Sequence, residues 1–115
     1  MFTFTERYTF EWPVKVKFPA RDGDIVQEFT GVFVLPDDEL EIFAKVDAAD
    51  ATEMVSAVRE RLSNWWVGWN GIAVEGGGEL PFSPENREKL LRRREIRLAV
   101  DAALSEAVLG IREKN

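Results

Sequence analysis

Apolar side chains fill every second position from Phe10 through Trp12, Val14 and Val16 to Phe18, and Glu11, Pro13, Lys15 and Lys17 fill the positions between. A period of two puts the first set on one face and the second on the other, so residues 9–18 predict a half-buried strand. Pro13 has no amide hydrogen to give a ladder, which predicts an edge position or a bulge there. The turn-prone run PARDGD follows, centred on Asp22 and Gly23. Residues 25–35, IVQEFTGVFVL, are rich in β-branched and aromatic side chains and predict a second strand. Gly31 is expected to mark a bulge or twist in it. The two strands pair most simply as an antiparallel hairpin. Upstream, MFTFTERYTFEW is also strand-like and carries Glu6 and Glu11, unlike the basic-then-apolar layout of a signal peptide.

Past residue 35 the period lengthens. Asp37 is placed to cap a short helix with acids in its first turn and an apolar face of Leu40, Phe43 and Val46. Asp50 and Glu53 have capping-box spacing, with the glutamate expected to reach back to the cap amide. Val55, Val58, Leu62, Trp65, Trp66 and Trp69 then fall within an arc of roughly 100–120° on a helix. Only Val67 faces the wrong way, so that helix is expected to end near it. WNGIAVEGGGELPF reads as a short strand, a glycine turn at Gly76-Gly77-Gly78 and a second extended piece. Ser83 caps a further helix with Pro84 at its first position and Leu90 and Leu91 as its apolar residues. A last helix covers about residues 94–109, with Gly110 available as its C-cap.

This order predicts an α+β domain: an N-terminal antiparallel hairpin or small sheet packed with about four helices, the last two forming a C-terminal pair. With 115 residues the chain fits one domain, β-rich over 1–35 and mainly helical over 36–115, with a short hairpin near 70–82. No run of 18 apolar residues occurs, so no membrane span is expected. The absence of cysteine excludes disulfides and thiolate metal sites, and a reducing cytoplasm fits best.

Charge narrows the choice of partner. A net charge of −6 argues against nucleic acid, which needs a cationic surface. The charge is uneven: residues 37–60 are dense in acids, and residues 84–97 carry Arg87, Lys89, Arg92, Arg93, Arg94 and Arg97. These segments are either solvated faces that attract each other across the fold, or a basic patch that docks an anionic protein surface.

Enzyme chemistry lacks its parts. There is no histidine for acid–base work or metal ligation and no cysteine nucleophile, and no serine sits in a GxSxG elbow. GGGEL lacks the GK[ST] of a phosphate loop and reads as a turn. The acids Asp37, Asp38, Glu39 and Glu41 sit where a helix dipole favours them, and no DxDxDG calcium loop is present. No catalytic residue, cofactor site or metal site is expected, so the chain reads as a protein-binding module.

Two features suggest where it binds. Trp65, Trp66 and Trp69 crowd one stretch; they are either core or, for one of the three, partly exposed on a partner surface. The last helix has the expected core stripe of Ile96, Ala99, Val100, Ala103, Leu104, Ala107 and Ile111, but Leu98, Ala102 and Leu109 form a second ridge. At about 100° per residue the ridge lies well over 100° from the stripe's centre. Either the helix is sandwiched inside the domain, or the ridge, flanked by Arg94 and Arg97, meets another chain. Self-association is expected of an exposed ridge that has no partner.

The C-terminal half, WNGIAVEGGGELPFSPENREKLLRRREIRLAVDAALSEAVLGIREKN, resembles the small tail assembly chaperones of long-tailed phages and prophages. Their W-x-G-[IV]…G-x-x-[LI]-P-[FY]-[ST]-x-E-[NA] pattern falls here on Trp69, Gly71, Ile72, the glycine run that ends at Gly78, then Leu80, Pro81, Phe82, Ser83, Glu85 and Asn86, with Lys114-Asn115 at the end. The strand-rich start, WPVKVKFPARDG then FTGVFVLPDDEL, is similar to one branch of these proteins, so the resemblance spans nearly the whole chain. One departure is EIRLAV, with Arg92-Arg93-Arg94 leading in, where the resemblance leads one to expect a short Asp-Pro-type break between the helices; this leaves the end of the third helix open. The resemblance implies a non-enzymatic helper in the bacterial cytoplasm that coats the tape measure protein and recruits tail tube subunits. Such helpers are often made with a frameshifted extension. The alternative from another class is a small adaptor or regulatory protein-binding module encoded on a mobile element.

Overall fold

The computed structural model describes residues 1–43 and 49–110. Strand β1 (Thr9–Phe18) and strand β2 (Ile25–Val34) form an antiparallel hairpin with Thr9 opposite Val34 and Phe18 opposite Ile25. The alternation dictates the two faces. Val14 and Val16 are buried, Phe10, Trp12 and Phe18 pack partly buried against the same cluster, and Glu11, Pro13, Lys15 and Lys17 are exposed. Gly23, at φ +117°, takes the tip of the turn.

Helix α1 (Leu40–Phe43) is a single turn. Its cap is Asp38 rather than the expected Asp37: Asp38 Oδ1 accepts from the Leu40 amide at 2.9 Å. The expected inward face also differs, because Ile42 is buried and Leu40 is exposed. The side chains of Phe43 and Val46 lie outside the described residues. Helix α2 (Ala51–Trp65) starts at Asp50, whose Oδ1 accepts from the Glu53 amide. Glu53 reaches back one residue further than the capping box expects, to the amide of Ala49 at 2.7 Å.

The main departure comes at the tryptophans. Helix α2 ends at Trp65, and strand β3 (Trp66–Asn70) begins with no loop between them. β3 pairs antiparallel with β2, giving a three-stranded sheet in the order β1-β2-β3. Trp66 and Trp69 therefore belong to a strand, although their spacing fits a helix face. A register shift at Val32/Phe33 explains the spacing: Trp66 sits opposite Phe33, Gly68 opposite Val32 and Trp69 opposite Gly31. The extra residue on β3, Val67, lets positions 66 and 69 point to the same side, which an unbulged strand forbids. β-prone tryptophan and valine and the unpaired edge of β2 win over the helical period.

Gly31 itself is regular in both ladders, so the bulge lies beside it rather than at it. Its lack of a side chain serves packing. A Cβ there would lie 2.6 Å from Phe33 Cε2 and 3.1 Å from Val14 Cγ2.

Residues 71–83 cross from β3 to the helix pair. Ala73 bridges Glu79, and the Leu80 amide donates to the Ile72 carbonyl at 2.8 Å, closing the expected glycine-turn hairpin with Gly76, Gly77 and Gly78 all at positive φ. Helix α3 (Pro84–Arg92) has the expected Ser83 cap, with the Asn86 amide donating to Oγ at 3.0 Å. Helix α4 (Arg94–Leu109) ends at Gly110, at φ +72°. Only Arg93, in extended conformation, separates the two helices.

One apolar cluster joins the elements: Val14 and Val16 of β1, Phe29 and Phe33 of β2, Leu62 of α2, Trp66 and Trp69 of β3, Leu91 of α3, and Ile96, Val100, Ala103 and Leu104 of α4. Trp66 is fully enclosed, its ring centroid 5.9 Å from that of Phe29 and 5.1 Å from that of Trp69. Its indole N–H finds no hydrogen-bond partner among the described residues. Burying an unpaired donor costs about 1–3 kcal/mol, less than burial and packing of so large a ring return, since truncating a core tryptophan costs about 3–5 kcal/mol.

Among the described residues the ion pairs between helices put the cation on α2 and the acid on α3 or α4, the opposite of acids on 37–60 attracting the cations of 84–97. Arg59 of α2 meets Glu88 of α3 at 3.9 Å, and Arg61 of α2 meets Asp101 of α4 at 3.5 Å.

Two substitutions test this core by chemical denaturation. Leu62→Ala should cost about 2–5 kcal/mol, the range for emptying a buried leucine site; a loss below roughly 0.5 kcal/mol would place Leu62 on the surface. Gly31→Val should cost about 1–3 kcal/mol by overpacking against an enclosed ring, and unchanged stability would contradict the Phe33 placement.

Candidate partner-binding surface

Helix α4 lies along β1 and divides its own circumference. The stripe Ile96, Val100, Ala103 and Leu104 enters the core, and Ala99 and Ala107 are half-buried beside it. Ile111 lies outside the described residues. The second ridge stays outside: Leu98 is 48% and Leu109 49% exposed, and Ala102 between them is exposed as well. The alternative of a helix sandwiched inside the domain is thereby removed, because an enclosed helix would cover both ridges.

The ridge is one wall of a groove of ≈ 620 Å³ whose other wall is the edge of β1. Leu98 and Ala102 line the helix side, with Arg94 also on that wall; Trp12, Pro13, Lys15 and Lys17 line the strand side. The strand wall was missed in the sequence-level choice of binding residues. Its signal was present in Pro13, which marks an edge, and in the two lysines that follow it.

The other candidate residues are placed differently. Arg97 works within the fold: its Nη1 donates to the carbonyls of Leu91 at 3.0 Å and Arg92 at 3.3 Å. A cation on the last carbonyls of α3 satisfies orphan acceptors and complements the helix dipole. Trp66 and Trp69 are buried, and Trp65 is half-buried against the core, so the three do not form a surface cluster. Only Leu98, Ala102, Leu109 and Arg94 remain together as an outward surface.

Residues of the run from Trp69 to Arg87 form a clasp between β3 and α3. Trp69 Nε1 donates to the Leu80 carbonyl at 2.8 Å, and its ring meets Phe82 edge-on at 4.9 Å. Asn86 Nδ2 donates to the Pro81 carbonyl at 2.9 Å. Arg87 lies 5.6 Å from the centre of the Phe82 ring while its Nη1 donates to the Trp66 carbonyl at 2.9 Å. Burial lowers the pKa of this guanidinium from its usual value. Gly71, at φ +89°, turns the chain where the crossing leaves β3, and Gly78, also at +89°, lies in the hairpin turn within it. Trp69, Phe82, Ser83 and Asn86 of this run each make a contact that holds the crossing to its neighbours, and Glu85 is exposed. Trp69→Phe keeps a ring but removes the donor, and should cost about 0.5–1.5 kcal/mol in denaturant titration; Trp69→Ala should cost about 3–5 kcal/mol. Equal losses for the two would show that the clasp hydrogen bond, not the ring, carries the site. No protein family, curated protein or solved structure was found to match this chain.

Proposed function

We propose that this chain is a non-enzymatic assembly chaperone of the phage or prophage tail type, working in the cytoplasm of the host bacterium. It binds the tape measure protein and tail tube subunits during tail assembly. The observation that carries a docking role is the uncovered ridge Leu98–Ala102–Leu109 on a helix whose opposite stripe is already buried. A ridge at i, i+4 and i+11 suits a helix-rich partner, whose own apolar stripe would cover it. Lys15, Lys17 and Arg94 against Glu95 and Glu106 leave the groove beside the ridge with a slight cationic excess, which favours an acidic partner face. The identity of the partner comes from the resemblance alone.

No helix among the described residues is long and apolar enough to cross a membrane. The formal charge of −6 favours a protein partner over nucleic acid.

The test is the double variant Leu98→Glu, Leu109→Glu, checked by circular dichroism and by co-purification with a candidate tape measure protein. An intact fold with binding weakened by about tenfold or more, roughly 1.4 kcal/mol, supports the reading. Undiminished co-purification with the fold intact would remove the ridge as the interface. Unfolding of the variant would make the ridge part of the core.

A further inference from the structure

The open edge of β1 and the segment that precedes it complement each other. The Leu35 amide donates to the Tyr8 carbonyl at 2.8 Å, which fixes the parity of the hairpin. Even-numbered residues of β1 turn their backbone groups toward β2. The odd-numbered ones, Thr9, Glu11, Lys15 and Lys17, turn amide and carbonyl outward, and Pro13 turns out a carbonyl alone. This edge borders the groove beside α4.

Residues 1–8 continue the alternation of β1 in phase, with Phe2, Phe4 and Tyr8 on even positions. Yet they form no strand, and Phe2 is 86% and Phe4 73% exposed. A strand-patterned segment with bare phenylalanines and an open edge beside a groove are two unmet halves of a β-ladder. Edges of this kind are templates for another chain.

We infer that two copies of this chain pair antiparallel along residues 2–16, each inserting residues 2–8 beside the other's β1, with the two-fold axis at Thr9. Pairing requires odd positions opposite odd positions, because those carry the outward backbone groups. Of the registers that satisfy this, the one centred on Thr9 sets Arg7 opposite Glu11 twice, by symmetry. It sets Thr3 opposite Lys15 and Thr5 opposite Pro13, whose missing amide removes one bond from each half. Phe4 then lies beside Val14 and Phe2 beside Val16, on the side of the sheet where Leu98 and Ala102 stand.

Sliding the pairing by one step in one direction would move Glu6 from beside the half-buried Trp12 to beside Val14, which is fully enclosed; in the other it would set Arg7 against Thr9 and lose the ion pair. A symmetric contact centred on Lys15 would set like charges opposite each other, which is destabilising. Length agrees as well. The five steps from Trp12 to Lys17, the stretch of β1 that lines the groove, rise roughly 17 Å, and residues 2–6 of the other copy fall opposite Val16 to Trp12. The result is a continuous six-stranded sheet across an isologous interface. This inference does not rest on the chaperone reading.

The chain has no cysteine, so Thr9→Cys introduces a single thiol at the axis. Opposed residues of a hydrogen-bonded pair have Cα atoms about 5.5 Å apart, within disulfide range. At roughly 100 μM protomer, light scattering of the wild type should give a dimer mass. Mild oxidation should convert Thr9→Cys to a linked dimer and leave Lys17→Cys, far from the axis in this register, largely unlinked. Arg7→Glu and Glu11→Arg should each weaken the dimer by about tenfold, and their combination should restore it. A monomeric wild type, equal linking of both cysteine variants, or a charge swap without rescue would each overturn the pairing.

Discussion

The hydrogen-bonded pairing of β3 on β2, locked by Trp66 inside the core, is the constraint on which the rest of the structure depends. The Trp66 amide closes α2 by donating to the Leu62 carbonyl, and the next residues already belong to the sheet. Because no loop separates helix from strand, the position of α2 follows from the register of β3. The bulge at Val67 then sends both Trp66 and Trp69 inward. Trp69 holds the 71–83 crossing through Leu80, which delivers α3 and α4 to their places. A change at this one junction would move three helices.

The same pairing decides which surface is left open. With β3 on one side of β2 and β1 on the other, the central strand is paired on both sides from Thr30 to Phe33. The outer strands differ: β3 is five residues long and has its Trp66 carbonyl held by Arg87, whereas β1 is ten residues long and borders a groove. Helix α4 packs its stripe on the core side of β1 and leaves Leu98 and Leu109 outside. The division of labour along the chain follows from this. Trp69, Leu80, Pro81, Phe82 and Asn86 tie β3 to α3, and the exposed ridge and groove are made by other residues, on α4 and the edge of β1.

Much of this arrangement was legible in the sequence because local chemistry and tertiary packing agreed. The β1 alternation, the Ser83-Pro84 start of α3 and the α4 boundaries at Arg94 and Leu109 all stand as the pattern implies. Legibility failed where two periods fit the same residues. Leu62, Trp65, Trp66 and Trp69 satisfy a helical face, and a strand with one bulge satisfies the last two equally well. Only the available edge of β2, a partner distant in sequence, decides between them. Caps missed by one residue, at Asp38 and at the Ala49 amide, because neighbouring polar groups compete for the same donors. The outward ridge of α4 was visible as a pattern, but whether another element covers it depends on packing that periodicity does not encode.

The most direct test of this account is the backbone of residues 66–70 in solution, read by NMR. The account predicts extended-type Cα and Cβ shifts from Trp66 to Asn70, and cross-strand contacts linking Gly31 to Trp69 and Phe33 to Trp66. Helical shifts running through Trp69, with neither contact, would contradict it, because β2 would then keep a free edge and the open surface would lie elsewhere.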